Sequence, residues 1–261
     1  MNQFFPYAGS SNKYARLIAE MIRREGFETY AEPMVGSGAV FFSLAPQSAF
    51  ICDLEWLHTN LYRCTKDDVE PLIHELDGIP PVKEWFLEVQ KNIYEIGDRW
   101  VVAAAWYALL ILCYNGVVLK KDGLPYLTWG DRYLSWTRRL PTYKQRLRVV
   151  NNMLRGVEIY SGDYKICPQA DIAFFDPPWI GSKEDYGTDF EHTGLAEYLR
   201  TYHGKWILTV NDCDAARVFY TPIAEWSIEL EPFYSVSPVK KGRFKRKELL
   251  MTNFTPKMFG G

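Results

Sequence analysis

The chain has 261 residues, of which 48% are apolar and 24% are charged. A chain of this length can bury a large core in one or two domains, and this apolar share excludes a disordered protein. Five cysteines without a Cys-x-x-Cys pair argue against a zinc site or a disulfide framework and favour a reducing compartment. The formal net charge of −2, taken alone, argues against a nucleic-acid-binding protein.

Neither a signal peptide nor a membrane span is expected. The residues from Met1 to Pro6 lack a basic region followed by a long apolar run. The longest apolar stretch, from Trp100 to Tyr114, is shorter than the roughly 20 residues that a spanning helix needs and suits a buried helix. We therefore expect a cytoplasmic protein without membrane association.

Apolar periodicity predicts an α/β fold. Strands are predicted over residues 29–31, 49–52, 157–160, 172–175, 206–210 and 249–254, and helices over residues 13–24, 39–44, 57–64, 69–76, 99–114, 138–154 and 195–202. The strands fall in two groups around a helix-rich segment, which predicts one sheet with helices on both faces and an inserted helical lobe. We assign residues 1–57 and 156–261 to the sheet domain and residues 58–155 to the insert.

A glycine turn follows the first predicted strand. Gly36 and Gly38 precede a helix that begins at Ala39, and glycine permits positive φ and a close approach of a ligand to the backbone. Such a crevice, beyond the carboxyl end of a strand, is where nucleoside cofactors bind in open α/β sheets. The next predicted strand ends in Asp53, which can accept hydrogen bonds from ribose hydroxyls. The turn matches neither the dinucleotide signature nor a phosphate-binding loop.

The most informative segment is Asp176-Pro177-Pro178-Trp179, which directly follows a hydrophobic strand. The prolines lack an N–H group, and each disfavours a helical conformation in the residue before it, so the segment is stiff and its carbonyl groups are available. A carboxylate, a free carbonyl and an aromatic face suit the binding of a planar amine, such as the exocyclic amino group of a base. The alternative is a buried strand that ends in a proline turn, with Trp179 in the core.

Basic residues are concentrated in two segments. Residues 120–148 contain eight basic residues against two acidic ones, and residues 236–247 contain six basic residues and no acidic one. Such clusters can neutralise phosphates, although either could be a solvated surface loop. The Gly-, Pro- and Lys-rich stretch from Asn115 to Trp129 is longer than an ordinary helix connection and fits a DNA-contacting hairpin.

Taken in order, these segments resemble the Dam-like (D12-class) DNA adenine-N6 methyltransferases. Five stretches, from near residue 4 to residue 254, are similar to the opening loop, the glycine turn, the DNA-reading hairpin, the adenine-side motif and the last strand of that family: residues 5–13, 32–38, 114–133, 161–164 and 247–253.

The resemblance implies a Rossmann-like S-adenosylmethionine-dependent methyltransferase sheet with an inserted target-recognition lobe. It implies methyl transfer to a flipped-out adenine of double-stranded DNA, with S-adenosylhomocysteine as product, no metal and a monomeric enzyme. The implied catalytic residues are Asp176, Pro177, Pro178 and Trp179. The implied cofactor residues are Tyr7, Ala8, Gly9, Lys13, Glu32, Pro33, Gly36, Ser37, Gly38, Asp53, Asp163, Tyr164 and Asp176. The implied DNA-binding residues are Asn115, Gly116, Lys120, Lys121, Arg132, Lys240, Lys241, Arg243, Lys245, Arg246 and Lys247.

Several alternatives stay open at this stage. The opening loop is two residues longer than the family pattern, so that either Lys13 or Ser11 takes the role of its lysine. Leu119 stands where family members often have an arginine, which leaves the target sequence undetermined. RNA adenine, DNA cytosine or a glutamine side chain are other possible acceptors, and a catalytically silent DNA-binding protein is a further alternative. The four histidines lie in no motif and are expected to be structural or surface residues.

Overall fold

A seven-stranded sheet forms the centre of the molecule. The computed structural model describes residues 3–7, 13–121, 123–181, 190–230 and 247–260. The strands are β1 Tyr30–Glu32, β2 Ala49–Asp53, β3 Cys113–Lys121, β4 Leu124–Trp129, β5 Val157–Ser161, β6 Ile172–Phe175, β7 Lys205–Asn211, β8 Trp226–Leu230 and β9 Glu248–Thr252. The sheet order is β5-β2-β1-β6-β7-β9-β8, and β3 and β4 pair separately as an antiparallel hairpin.

Five neighbouring strands of the sheet run parallel. They are β5, β2, β1, β6 and β7, whereas β9 runs antiparallel to both β7 and β8. From β1 the chain moves through β2 to β5 on one side, and from β6 it moves to β7 on the other. The order therefore reverses between β1 and β6, and such a reversal opens a crevice at the carboxyl ends of the strands.

Helices cover the sheet on both faces. The helices in the described part of the chain are α1 Ala15–Glu25, α2 Ala39–Leu44, α3 Trp56–Asp67, α4 Val69–Glu75, α5 Lys83–Asn92, α6 Arg99–Leu112, α7 Tyr133–Met153, α8 His192–Arg200 and α9 Asp214–Tyr220. Alternate residues of β6 belong to different cores: Ile172 and Phe174 pack in one, and Ala173 and Phe175 in the other. Because both faces are covered, all four residues are buried, and the strand is a continuous hydrophobic run. The predicted Rossmann-like α/β fold is confirmed.

The helices of the predicted insert share a core with the sheet. Trp106 and Leu110 of α6 lie in the same buried cluster as Ile51 and Ile172 of the sheet. The division at residues 58 and 155 stays a prediction, but the helices of this segment pack directly against the central sheet.

Two helices and one strand were not predicted from the sequence. Helices α5 and α9 and strand β8 have mixed polar patterns, and three of the five residues of β8 are exposed because the strand lies at the edge of the sheet. Helix α6 ends at Leu112, so that Tyr114, predicted as helical, lies in β3 instead.

Two global properties follow from the described residues. None of their helices is long and apolar enough to cross a bilayer. The five cysteines are free thiols, and all except Cys213 are buried.

Candidate active site

The residues predicted to carry the chemistry lie at one edge of the sheet. Because β5, β2, β1, β6 and β7 are parallel, their carboxyl ends meet there. Asp163, Asp53, the glycine turn, Asp176 and Asn211 follow or end these strands, in that spatial order. The crevice between β1 and β6 thus separates the Asp53 side of the edge from the Asp176 side.

The glycine turn is fixed by hydrogen bonds to its backbone. The N–H group of Gly36 donates to Asp53 Oδ2 at 2.8 Å, and the hydroxyl of Tyr62 donates to the Gly36 carbonyl at 3.1 Å. Gly36 and Gly38 have φ of 47° and 68°, which favours glycine. A Cβ at Gly38 would lie 2.7 Å from the Tyr62 hydroxyl, so this position also requires the absence of a side chain.

Asp53 is held by two backbone donors. Its second oxygen, Oδ1, accepts a 2.8 Å hydrogen bond from the N–H group of Glu55. Burial by itself would raise the pKa of Asp53, but His58 and the N–H groups of Glu55 and Gly36 hold it below the ordinary value. The carboxylate is therefore ionised at neutral pH, and the remaining lone pairs of its oxygens can accept hydrogen bonds from a ligand.

His58 lies beneath this carboxylate and is 1% exposed. Its Nδ1 is 3.5 Å from Asp53 Oδ1, too far for a well-formed hydrogen bond, and within the described residues neither ring nitrogen has a hydrogen-bond partner. The ring stacks on Phe5 and meets Tyr7 edge to face, with centroids 5.2 and 5.1 Å apart. The expectation of a structural histidine fits this position, although the sequence did not connect it with the site.

Glu32 ends β1 at the crevice itself and is 2% exposed. It accepts a 2.6 Å hydrogen bond from the hydroxyl of Tyr30. Burial raises the pKa of Glu32 to about 8, and the nearby charge of Asp176 acts in the same direction against the hydrogen bonds that lower it. Glu32 is therefore largely protonated at neutral pH.

The predicted adenine side of the pocket lies beyond β5. The N–H group of Gly162 donates to the backbone carbonyl of Asp53 at 3.0 Å, which joins the two strand ends. Asp163 is exposed, and its carboxylate accepts from the N–H group of Lys165 at 3.0 Å. Tyr164 is buried against Tyr198, and burial raises its pKa to about 12.

The predicted opening loop is described in part. Tyr7 is half-buried, and its ring lies 3.5 Å from the point that a Cβ on Gly36 would occupy. Lys13 forms an ion pair with Glu248 at the start of β9. Ala8, Gly9 and the alternative Ser11 lie outside the described residues, so the choice between Lys13 and Ser11 stays open.

The segment Asp176-Pro177-Pro178-Trp179 extends β6 past the last sheet pair, Phe175 with Leu208. Asp176 Oδ1 accepts a 2.6 Å hydrogen bond from the Thr209 hydroxyl. Pro177 is buried, whereas Asp176, Pro178 and Trp179 are half-buried. The sequence left open a core position for Trp179, and its partial exposure is compatible with stacking on a ligand.

A buried histidine lies behind residues 176–179, which we call the platform. His192 Nδ1 is 2.7 Å from the Tyr220 hydroxyl. Burial lowers the pKa of His192 to about 4, and the nearby carbonyl of Pro178 opposes that shift only in part. The Nε2 atom has no hydrogen bond of standard geometry to any described residue. His192 is therefore neutral and acts as packing beside Pro178.

The hairpin of β3 and β4 contacts the Asp53 side of the edge. Asn115 and Gly116 have φ of 56° and 67° and lie within a register shift of β3. A Cβ at Gly116 would lie 2.8 Å from the Pro6 carbonyl carbon, so the absence of a side chain lets the hairpin pack on the opening segment. Asn115 is exposed and Gly116 is buried. Their predicted contacts with DNA stay predictions.

Lys120 connects the hairpin with Asp53. Its Nζ is 3.0 Å from Glu55 Oε2, and Glu55 in turn donates its N–H group to Asp53. The side chain of Lys120 is 39% exposed. Lys121 is exposed and Arg132 is half-buried at the start of α7. Lys120 therefore contacts the Asp53 side of the edge as well as belonging to the predicted DNA face.

The second basic cluster lies mostly outside the described residues. Lys240, Lys241, Arg243, Lys245 and Arg246 belong to that part of the chain. Lys247, which is described, forms a 2.7 Å ion pair with Glu229 of β8. Its predicted role in phosphate binding is untested.

The sequence did not single out the side chains that support the two acids. His58 lies beside Asp53, and Thr209 donates to Asp176. The neighbouring backbone is held as well, by Tyr62 at Gly36 and by Asn211 at Ile180, and the N–H group of Glu55 donates to Asp53. One signal was present for the two residues of β7. Thr209 and Asn211 lie two residues apart at the end of a predicted strand, and polar residues in that position reach the same edge as Asp176.

The polar groups at this edge fit an S-adenosylmethionine molecule. The carboxylates of Asp53 and Asp176 suit ribose hydroxyls and an ammonium group, with the protonated Glu32 between them, and the glycine turn permits close approach to the backbone. No group of three His, Cys, Asp or Glu side chains that could hold a metal ion is found in the part of the chain that the structure describes.

Comparisons with known proteins agree with this geometry. The chain is similar to the type II methyltransferase M1.LlaDCHI of Lactococcus lactis subsp. cremoris, with 29% identity over 188 residues. It is also similar to the type II methyltransferase M.MjaIII of Methanocaldococcus jannaschii, with 28% identity over 202 residues. The matches cover 66% and 67% of this chain, and 64% and 68% of the respective relatives.

A similarity to a solved structure is weaker. Precorrin 8w decarboxylase from Methanobacterium thermoautotrophicum superposes with a TM-score of 0.40 and 13% identity over 94% of this chain and 91% of that one. A score this low supports no functional conclusion. In contrast, the model of the D12 class N6 adenine-specific DNA methyltransferases matches residues 7–231, which is most of the chain. With the glycine turn, Asp53 and Asp176 gathered at one sheet edge, the chain belongs to the D12 class N6 adenine-specific DNA methyltransferase family.

Proposed function

We propose that the protein transfers the methyl group of S-adenosylmethionine to the exocyclic N6 of an adenine flipped out of duplex DNA. The observation that carries this proposal is the position of Asp176-Pro177-Pro178-Trp179 beside the crevice between β1 and β6. Family membership supports a methyltransferase and this class of acceptor.

The Asp53 side of the edge would bind the cofactor. Asp53 keeps lone pairs for ribose hydroxyls, and Glu32 and Asp176 line the crevice where the methionine end would lie. Tyr7, Lys13, Ser37, Asp163 and Tyr164 complete the proposed pocket. When bound, S-adenosylmethionine supplies an activated methyl group on a sulfonium.

The Asp176 side would bind the acceptor. An adenine amino nitrogen shares its lone pair with the ring and is a weak nucleophile. The Asp176 carboxylate and the Pro177 carbonyl would each accept a hydrogen bond from that amino group, which favours a pyramidal and more nucleophilic nitrogen. Direct transfer then follows, and the amino proton leaves afterwards.

The half-buried ring of Trp179 offers a stacking surface for the flipped base. Extrusion of a base from the duplex costs a few kcal/mol. Stacking on an aromatic side chain contributes about 1–3 kcal/mol in single-strand-binding proteins and would offset much of that cost.

DNA would lie across the hairpin and the carboxyl edge of the sheet. Lys120, Lys121 and Arg132 belong to the hairpin region, and the segment between Leu230 and Lys247 carries the second basic cluster. Strand β8 ends at Leu230 opposite Glu248, where β9 begins, and both residues lie at the edge that bears Asn211. Basic residues at this edge would neutralise phosphates of the bound duplex.

The two relatives are type II methyltransferases, and we propose the same modification role here. A monomer in the cytoplasm of a prokaryotic or phage-infected cell, with residues 58–155 as target-recognition lobe, is the organisation that we propose for it.

The test is incubation of the protein with S-adenosylmethionine labelled in its methyl group and unmethylated genomic DNA, followed by sequencing of modified bases. We expect N6-methyladenine within one short recognition sequence. Label in cytosine, or in RNA or protein but not in DNA, would redirect the proposal to another planar amine. Absence of cofactor binding by calorimetry would favour a catalytically silent DNA-binding protein.

A further inference from the structure

Side chains of β7 hold the catalytic segment where the backbone pairing of β6 ends. The parallel ladder between β6 and β7 stops at the pair Phe175 with Leu208. The segment continues with Pro177 and Pro178, which have no N–H group to donate to a neighbouring strand. The platform therefore needs support other than a backbone ladder.

Thr209 supports the first residue of the platform. Its hydroxyl donates to Asp176 Oδ1 at 2.6 Å, and the residue is 1% exposed. This distance is typical of a charge-assisted hydrogen bond between a hydroxyl and a carboxylate. The contact occupies one lone pair of Oδ1 and fixes the rotation of the carboxylate about its side chain.

Asn211 supports the residue that follows the platform. The N–H group of Ile180 donates to Asn211 Oδ1 at 2.8 Å, and Asn211 Nδ2 donates to the Ile180 carbonyl at 3.2 Å. The side-chain amide thus makes the two hydrogen bonds to Ile180 that the backbone of a neighbouring strand would otherwise make. Because Thr209 and Asn211 are two residues apart on β7, their side chains point to the same side and bracket residues 176–180.

We infer that Thr209 and Asn211 are positioning residues of the methyl transfer, acting through Asp176 and through the backbone next to Trp179. Thr209 directs the remaining lone pairs of Asp176 towards the acceptor amino group. Asn211 holds the end of the platform, so that the stacking ring and the carboxylate keep a constant separation. The inference rests on the proposed function, because it assigns these residues to that same reaction.

The test compares Thr209→Val, which removes the hydroxyl at nearly constant volume, with Thr209→Ser, which keeps it. We expect Thr209→Val to lower kcat about 10- to 100-fold, the range known for small misplacements of reacting groups. Thr209→Ser is expected to restore most of kcat. Asn211→Ala is expected to lower kcat as well, and the KM values for cofactor and DNA are expected to change less than kcat in each case.

A matched control is Thr252→Val in β9. Thr252 is also fully buried in this sheet, and its hydroxyl donates to the Phe254 carbonyl at 2.5 Å, away from Asp176. It should lower the melting temperature without a selective loss of kcat. If Thr209→Val has the kcat of the wild type, or if Thr209→Ser is as slow as Thr209→Val, the positioning role is wrong while the proposed methylation still stands. If the wild type methylates no DNA, both the positioning role and the proposed function are wrong.

Discussion

The two halves of the site hold their acidic side chains in different ways. On the proposed cofactor side, Asp53 accepts hydrogen bonds from the backbone of Gly36 and Glu55. On the proposed acceptor side, Asp176 accepts a hydrogen bond from the side chain of Thr209. The glycine turn exposes N–H groups, whereas the two prolines remove them, so that a neighbouring strand must supply the donor. Support by backbone N–H groups depends on the conformation of the glycine turn, which few other residues could adopt. Support by a side chain depends on one hydroxyl, which a single conservative substitution can remove.

The largest expected effect is the loss of turnover in Asp176→Ala. We expect kcat to fall about 100- to 1,000-fold, as when a group that stabilises a transition state is removed. The melting temperature should change by only a few degrees because Asp176 is half-buried. Single-turnover methylation of a saturating DNA substrate measures this loss. Substantial activity in the variant would show that the platform does not act through its carboxylate.

The next largest effect concerns Glu32, which lies between the two halves. Its pKa in the folded protein is about 8 against an ordinary value of 4.5. Glu32 therefore contributes stability that is complete below about pH 4.5 and is lost as the pH rises through 8. Between pH 5.5 and 8 this loss amounts to at most about 3 kcal/mol, and Glu32→Gln should remove it.

Urea unfolding of the ligand-free protein and of Glu32→Gln at several pH values measures that difference. We expect the two curves of unfolding free energy against pH to converge at low pH and to separate as the pH rises. Parallel curves would mean that the pKa of Glu32 is not raised and that Glu32 is ionised in the folded protein at neutral pH.

A smaller effect is expected for Asp53→Asn. The variant should bind S-adenosylhomocysteine about 10- to 100-fold more weakly, because hydrogen bonds to a charged group contribute roughly 1.5–3 kcal/mol. Asp171→Asn is a matched control. Asp171 Oδ2 also accepts from two backbone N–H groups, those of Glu28 and Thr29 at 2.9 and 2.8 Å, but at the opposite edge of the sheet.

Calorimetry measures the affinity of both variants for S-adenosylhomocysteine. It separates the loss of a contact with the ligand from the structural effect of removing a carboxylate that accepts from backbone N–H groups. Equal losses of affinity in Asp53→Asn and Asp171→Asn would mean that the effect is structural and that Asp53 does not contact the cofactor.

The smallest expected effect is a change in cofactor affinity, tested by comparing variants of two neighbouring lysines of the hairpin. Lys120→Ala removes the ion pair with Glu55, and because Glu55 also donates to Asp53, we expect a two- to fivefold weaker cofactor affinity, about the size of a partly exposed ion pair. Lys121→Ala should leave cofactor affinity unchanged. Both should weaken binding to all DNA sequences, with a reduced dependence on salt. Identical cofactor affinities in the two variants would mean that the ion pair between Lys120 and Glu55 does not affect cofactor binding.

The amino-acid sequence by itself determined the fold class and the two central acids. Continuous apolar runs such as Ile172–Phe175 mark strands buried on both faces, and a polar residue at the end of such a run marks the functional edge. These signals are local, which is why Asp53, Asp176 and the glycine turn could be found without a structure. The edge strand β8 was missed because exposed residues weaken its apolar pattern.

Only the tertiary structure decided which side chains support the acids. His58 approaches Asp53 from the first turn of α3, Thr209 reaches Asp176 across 33 positions of sequence, and Gly116 packs on Pro6 from the hairpin. These contacts depend on the order of the strands and on the packing of the helices between β2 and β5. Neither property can be read from local spacing, because these partners are far apart in the sequence and become neighbours only in the folded chain.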